Sequence, residues 1–192
     1  GEHWALLYRY VEDVPLSTKI RNIALFAFPG IERPQFLAFF VPYIPFFLFG
    51  TNFTGHVFFS YCLHVIAGLL IVLILKHRGV ALSNQFLAFS AFVLSFVCSD
   101  VVNWAFFSNI QSNTILVLTS LYLLLKFEKT QNITFFYLQS LCIFIACFLY
   151  EISFTIFFVQ ILFLIVFRRN VKLLLIVLIN ILVVFLAVLV VF

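Results

Sequence analysis

Two carboxylates stand between long apolar runs, and they are the first candidates for chemistry. Asp100 and Glu151 each lie in a short polar break that contains no basic residue. A carboxylate close to a bilayer is costly unless it is solvated, paired or used in function. Each is therefore either a solvated turn residue or a site residue, and the sequence leaves both interpretations open.

The residues after Asp100 favour the functional interpretation. Trp104 follows Asp100 by four residues, so the two side chains share a face if a helix begins there. The next two turns carry a series of polar residues: Ser108, Asn109, Gln111, Ser112, Asn113 and Thr114. A helix that faces only lipid does not need these groups, and the stretch therefore predicts the lining of a cavity.

A second polar line occurs in an earlier apolar run. His56, Ser60, His64 and Gly68 follow one another at intervals of four and form one ridge of a helix. One histidine in a span is usually a packed, hydrogen-bonded group, whereas two on a ridge favour a polar pocket. No cysteine or carboxylate stands at zinc-ligand spacing, so we expect no zinc site and no cofactor, with a divalent metal left open.

The start of the chain carries a third candidate, the tripeptide Glu2-His3-Trp4. It is either a solvated loop start or an acid or base placed beside the mouth of a cavity.

The composition decides the class of protein that must position these groups. Of 192 residues, 65% are hydrophobic and only 9% are charged, against about 25% charged in soluble domains. So few charges cannot cover a water-facing surface, which excludes a soluble enzyme and a disordered tail. The basic residues lie in short clusters between apolar runs rather than on one face, which excludes a nucleic-acid partner.

Six apolar runs predict an all-α, polytopic transmembrane helical bundle with about six spans over residues 53–192. The runs are Phe53–Leu75, Ala81–Cys98, Trp104–Leu125, Ile133–Tyr150, Ile152–Phe167 and Val171–Phe192. Residues 1–52 hold all five prolines and eight of the 18 charged residues, and they predict a non-cytoplasmic loop with short interfacial or re-entrant helices.

Basic residues set the predicted orientation. Loops 76–80, 126–132 and 168–172 contain lysine or arginine, which is typical of the cytoplasmic or matrix side of a multi-pass membrane protein. Asp100, Glu151 and the N-terminal loop are then outside. We also expect that the chain is part of a longer protein, with a further span before Gly1.

Four passages together resemble the GT-C superfamily of polyprenyl-phosphate-sugar-dependent glycosyltransferases, the group around the protein O-mannosyltransferases. Arg33-Pro34 with Leu48 to Asn52 resembles the family's "RPL … FG-x-N", and Gly55 to Ala67 resembles "G-x-H-x-x-N-x-x-x-H", with His64 on the last histidine. Asp100 to Trp104 resembles "E-A-V-x-W", and Tyr150-Glu151 through Arg168-Arg169 resembles "S-K-E … RR". The chain departs from the pattern at Val57, Ser60 and Tyr150, and Glu2-His3 replaces a pair of acids.

The resemblance implies a membrane enzyme that moves a sugar from a lipid-linked donor to an acceptor on the non-cytoplasmic side, with inversion. By position, Glu2 is the implied catalytic base, with Asp100 as the second catalytic carboxylate. The implied substrate-binding residues are His3, Arg33, His56, His64, Trp104 and Glu151, with Arg33 facing the lipid phosphate.

Two other functions stay open. One is a non-catalytic integral membrane subunit of a multi-protein complex, such as a respiratory complex, with partner membrane subunits. The other is a transporter or channel element, which is disfavoured because transporters show Gly- or Pro-broken spans in paired positions and every proline here precedes residue 46.

Overall fold

The computed structural model describes residues 40–97 and 108–149, together with Pro15, residues 17–18 and isolated positions between Ser153 and Leu186. Over the two continuous ranges, the chain forms five α-helices and no strand. The all-helical prediction is therefore confirmed.

The helices are α1 (Phe40–Phe49), α2 (Phe53–His77), α3 (Leu82–Val97), α4 (Ser108–Thr130) and α5 (Ile133–Leu149). Helices α2, α3 and α5 follow the predicted apolar runs closely. Helix α4 is described from Ser108, because Trp104 lies outside the described residues, and it continues past Leu125 through Lys126, Glu128 and Lys129. These charged residues interrupt an apolar run, but they are good helix formers, so the helix continues where the hydropathy falls.

Local hydrogen bonds determine where α2 and α5 begin. The Asn52 side-chain oxygen accepts from the backbone amides of Thr54 at 3.1 Å and Gly55 at 3.4 Å. The Asn132 side-chain oxygen accepts from the Thr134 amide at 3.0 Å in the same way. Both asparagines satisfy amides that the first turn of a helix leaves unpaired.

Two helices, α2 and α4, are long and apolar enough to cross a bilayer, by length and composition. Only 22% and 33% of their apolar windows are buried, whereas the core helix of a soluble protein is mostly buried. This favours an integral membrane protein. Helix α5 and the Leu82–Leu94 part of α3 are apolar but shorter, and the fifth and sixth predicted runs lie mostly outside the described residues, so the six spans stay a prediction.

Helices α2 and α4 lie side by side and run in the same direction. At their C-terminal ends Arg78 contacts Glu128 at 3.5 Å, and the rings of His77 and Tyr122 lie 6.0 Å apart. Helix α3 packs on α2, α5 packs on α4, and α1 touches both α2 and α4. Loops 76–80 and 126–132 therefore share one end of the bundle, which we call the basic end.

The opposite end holds the turn at residues 50–52, the start of α4 and the end of α5. Helix α1, about 15 Å long, is too short to cross a bilayer and packs here with Pro45 fully buried. It belongs to the predicted N-terminal loop region, most of which lies outside the described residues.

The described surface is apolar and the interior is partly polar. Phe47, Leu82 and Phe86 are 77%, 79% and 70% exposed, while His64, Gln111 and Gln139 are buried. An apolar core also exists between α4 and α5, where Phe127 and Phe136 pack with ring centroids 5.4 Å apart. An apolar exterior around buried polar groups is what a lipid environment requires.

Candidate functional site

His56 closes the turn between α1 and α2. Its Nε2 lies 2.7 Å from the Gly50 carbonyl oxygen, and its ring meets the edge of Phe46 with centroids 4.4 Å apart. A carbonyl only accepts, so Nε2 carries the proton and Nδ1 is left as an acceptor. This Nδ1 is buried and has no hydrogen-bond partner in the described structure.

His64 joins α2 to α3. Its Nε2 lies 3.1 Å from the Phe92 carbonyl oxygen, so the nitrogen is the donor, and its ring stacks on that of Phe92 with centroids 4.3 Å apart. The side chain is 2% exposed. His56 and His64 are thus about 12 Å apart along the axis of α2 and bind different neighbours.

The predicted ridge is present on α2, but its residues contact more than one neighbouring helix. His56 faces α1, while His64 faces α3 and Gly68 lies against Phe89 and Val93 of α3. Ser60 lies between the two histidines, fully buried, and its hydroxyl has no partner in the part of the chain that the structure describes. A step of four residues gains 40° on each repeat, so the ridge turns from one neighbour to the next.

The polar stretch at the start of α4 is largely buried. Ser108, Gln111 and Asn113 are at most 6% exposed. Among the described residues, Gln111 finds no hydrogen-bond partner for either its amide nitrogen or its amide oxygen. The Thr114 hydroxyl donates to the Ile110 carbonyl 2.9 Å away, within its own helix.

Asn113 connects α4 to the segment beyond α5. The Ser153 hydroxyl donates to the Asn113 side-chain oxygen at 2.8 Å, and both side chains are buried. The two side chains are forty residues apart in the sequence. Ser153 follows the predicted site residue Glu151 by two positions.

An open groove of about 460 Å³ reaches the polar stretch of α4 at Ser112. Helices α1, α2, α4 and α5 line it with Val41, Leu63, Ile66, Ser112, Ile115, Leu116, Ile145 and Leu149. Ser112 is the single polar side chain among those eight. Such a groove fits a hydrocarbon chain rather than a polar molecule.

Of the eight site residues predicted from the sequence, His56 and His64 belong to the described structure. The other six lie outside the described residues: Glu2, His3, Arg33, Asp100, Trp104 and Glu151. The two histidines contact backbone carbonyls and aromatic rings rather than each other. Among the described residues no group of three His, Cys, Asp or Glu side chains could hold a metal ion.

Sequence reasoning did not identify Gln139, Ser140 or Ser153 as buried polar groups. Gln139 and Ser140 form an adjacent pair within the apolar helix α5, Ser153 lies in the apolar run that follows, and only their neighbours decide whether they face lipid or protein. Their rarity in an apolar context was the available signal, because a polar side chain in a span usually faces the bundle interior.

Comparisons of the chain with protein-family models, curated proteins and solved structures find no match.

Proposed function

We propose that the chain is a multi-pass membrane glycosyltransferase of GT-C type, which moves a sugar from a polyprenyl-phosphate carrier to an acceptor on the non-cytoplasmic side. The observation that carries the proposal is the apolar groove beside the polar first turns of α4. A lipid-linked sugar needs both features, since its chain is a hydrocarbon and its sugar is a set of hydroxyl groups.

The position of the groove supports this assignment. Its lining residues come from α1, the middle of α2, the first half of α4 and the end of α5, so it lies between the middle of the bundle and the end opposite the basic end. Asp100 precedes the start of α4 by eight residues, and Glu151 follows the end of α5 by two. Both carboxylates are thus close in sequence to helix ends that meet beside the groove.

The proposed roles follow the family resemblance. Glu2 takes the proton from the acceptor, Asp100 assists at the reacting sugar, and Arg33 holds the phosphate leaving group through charge-assisted hydrogen bonds. His3, Trp104 and Glu151 line the sugar site. His56 and His64 keep α1 and α3 in place around α2, as their contacts favour.

The test is sugar transfer by the purified chain in liposomes that contain a radiolabelled polyprenyl-phosphate sugar and an acceptor. Glu2→Gln removes the proposed base and should lower the transfer rate at least a hundredfold, the usual scale of general-base catalysis. Glu12→Gln is the matched control, because it is the same substitution ten residues away, at a position outside the resemblance. The proposal fails if Glu2→Gln and Glu12→Gln retain equal activity.

A second candidate is a non-catalytic membrane subunit, and the exposed face of α3 favours it. Leu87 and Leu94 are two helical turns apart and are 67% and 65% exposed, and Phe86 beside Leu87 is 70% exposed. A partner helix could cover this face as well as lipid could. Purification in mild detergent separates the two: a stoichiometric membrane partner together with no sugar transfer supports the subunit.

A further inference from the structure

The basic end of the bundle gathers charges from two loops that are far apart in sequence. Segments 76–80 and 126–132, which include the last residues of α2 and α4, carry four cationic side chains, Lys76, Arg78, Lys126 and Lys129, and one carboxylate, Glu128. The parallel packing of α2 and α4 brings the two loops together, and Arg78 reaches Glu128 at 3.5 Å across the gap. Within these two loops cations therefore outnumber the carboxylate four to one.

The four cations differ in what they contact. Lys126 lies over the rings of Tyr122 and Phe135, with Nζ at 5.1 Å and 5.4 Å from their centroids, so aromatic faces hold it. Arg78 pairs with Glu128, the one carboxylate of these segments, while 54% of the Arg78 side chain stays exposed. Lys76 and Lys129 are exposed at the ends of α2 and α4.

An exposed apolar belt begins next to these cations. Leu73 lies one turn before Lys76, and Ile133 and Tyr137 follow Lys129 on α5; they are 42%, 41% and 53% exposed. Leu82 and Phe86 continue the belt on α3. Cations at the rim of an apolar belt match a lipid molecule, whose charged headgroup and hydrocarbon chains are joined in the same order.

We propose that the basic end binds the headgroups of anionic phospholipids in the adjoining leaflet, with Lys76 and Lys129 as the main contacts to the phosphate. Arg78, held by Glu128, and Lys126, held by two rings, form the fixed sides of the site. A free phosphate ion would use the cations alone, whereas a phospholipid also covers the neighbouring apolar belt. This proposal rests on the membrane setting and not on the proposed sugar transfer.

The experiment uses the full chain reconstituted in phosphatidylcholine vesicles that contain a spin-labelled lipid. Electron paramagnetic resonance measures the association of labelled phosphatidylglycerol with the protein relative to labelled phosphatidylcholine. The expected result is a preference for phosphatidylglycerol that falls about tenfold in the double variant Lys76→Gln/Lys129→Gln. High salt should weaken the preference as well, because the contacts are exposed.

Two controls make the result specific. Lys19→Gln/Arg21→Gln removes the same charge from the N-terminal region and should keep the preference, while Lys76→Arg/Lys129→Arg should keep it through retained charge. Circular dichroism checks that each variant is folded. The proposal is overturned if the Lys76/Lys129 double variant keeps its preference, if the Lys19/Arg21 variant loses as much, or if millimolar inorganic phosphate displaces the labelled lipid.

Discussion

At the scale of single residues, buried polar side chains hold the apolar helices together. His64 bonds to the Phe92 carbonyl, and Asn113 accepts from Ser153. In lipid such a bond does not compete with water, but the unfolded chain in the membrane also finds partners, so each contributes modestly. The specificity of helix pairing therefore depends on a small number of these contacts.

Truncation of His64 should destabilise the bundle. His64→Ala removes the bond to Phe92 and the stacked ring from a side chain that is 2% exposed. The free energy of unfolding, measured by titration with a denaturing detergent, should fall by about 2–4 kcal/mol. Tyr61→Ala, on the exposed face of the same helix, should cost less than about 1 kcal/mol. Equal losses in the two variants would show that His64 does not pack as described.

The bond between Asn113 and Ser153 should appear as an energetic coupling. A double-mutant cycle with Asn113→Ala and Ser153→Ala should give a coupling of about 0.5–1.7 kcal/mol. Ser120 supplies the control, because its hydroxyl donates to the Val117 carbonyl of its own helix at 2.8 Å. A cycle between Ser120→Ala and Ser153→Ala should give no coupling. A coupling as large in the control cycle would contradict a direct bond.

At the scale of helices, the close approach of α1 to α2 requires glycine at position 55. A β-carbon added to Gly55 would lie 2.5 Å from the Phe49 ring and 2.7 Å from the Phe49 β-carbon. Neither atom is the far end of a flexible side chain, so the helices would have to move apart. The same movement would strain the contact between His56 and the Gly50 carbonyl.

Gly55→Ala should therefore lower the free energy of unfolding by about 1–3 kcal/mol. Gly68→Ala should cost less, since its nearest contacts are ring atoms of Phe89 at 3.0 Å, which can shift slightly. Thr54→Ala, next in sequence and exposed, is the control. Thermal unfolding of the three variants in one detergent checks the order, and a Gly55→Ala protein as stable as Thr54→Ala would contradict the close approach.

At the scale of the whole molecule, the arrangement predicts which loops share a side of the membrane. Residues 81 and 130 lie at the basic end, and residue 51 lies at the other end of α2. With the native cysteines replaced, single cysteines at Ala81 and Thr130 should resist a membrane-impermeant maleimide in intact cells. A cysteine at Thr51 should react, because the basic loops are predicted to be cytoplasmic.

The pattern of labelling separates two possible errors. If Ala81 and Thr130 behave differently, the parallel packing of α2 and α4 is wrong. If both react while Thr51 does not, the packing stands and the predicted orientation is inverted.

Local sequence was sufficient to predict that the described chain is all-helical and where three of its helices lie. The composition predicted a lipid-facing surface, and the apolar runs placed α2, α3 and α5 within a few residues of their bounds. Hydropathy and capping act over one or two turns, so these features can be predicted without knowledge of distant residues. The polar stretch after residue 107 was also evident, because polar residues are rare in such a chain.

Only the tertiary structure decided which helices are neighbours and which side chains meet. The sequence already places the polar residues of α2 on one ridge, and the buried residues of the helix include that ridge, but no local pattern indicates which neighbouring helix each part of the ridge contacts. The division of its ridge between α1 and α3, the ion pair of Arg78 with Glu128, and the bond of Asn113 with Ser153 all depend on contacts between distant segments. The groove lies where α1, α2, α4 and α5 do not pack tightly against one another. The shapes of the packed side chains set this gap, and no local sequence pattern indicates it.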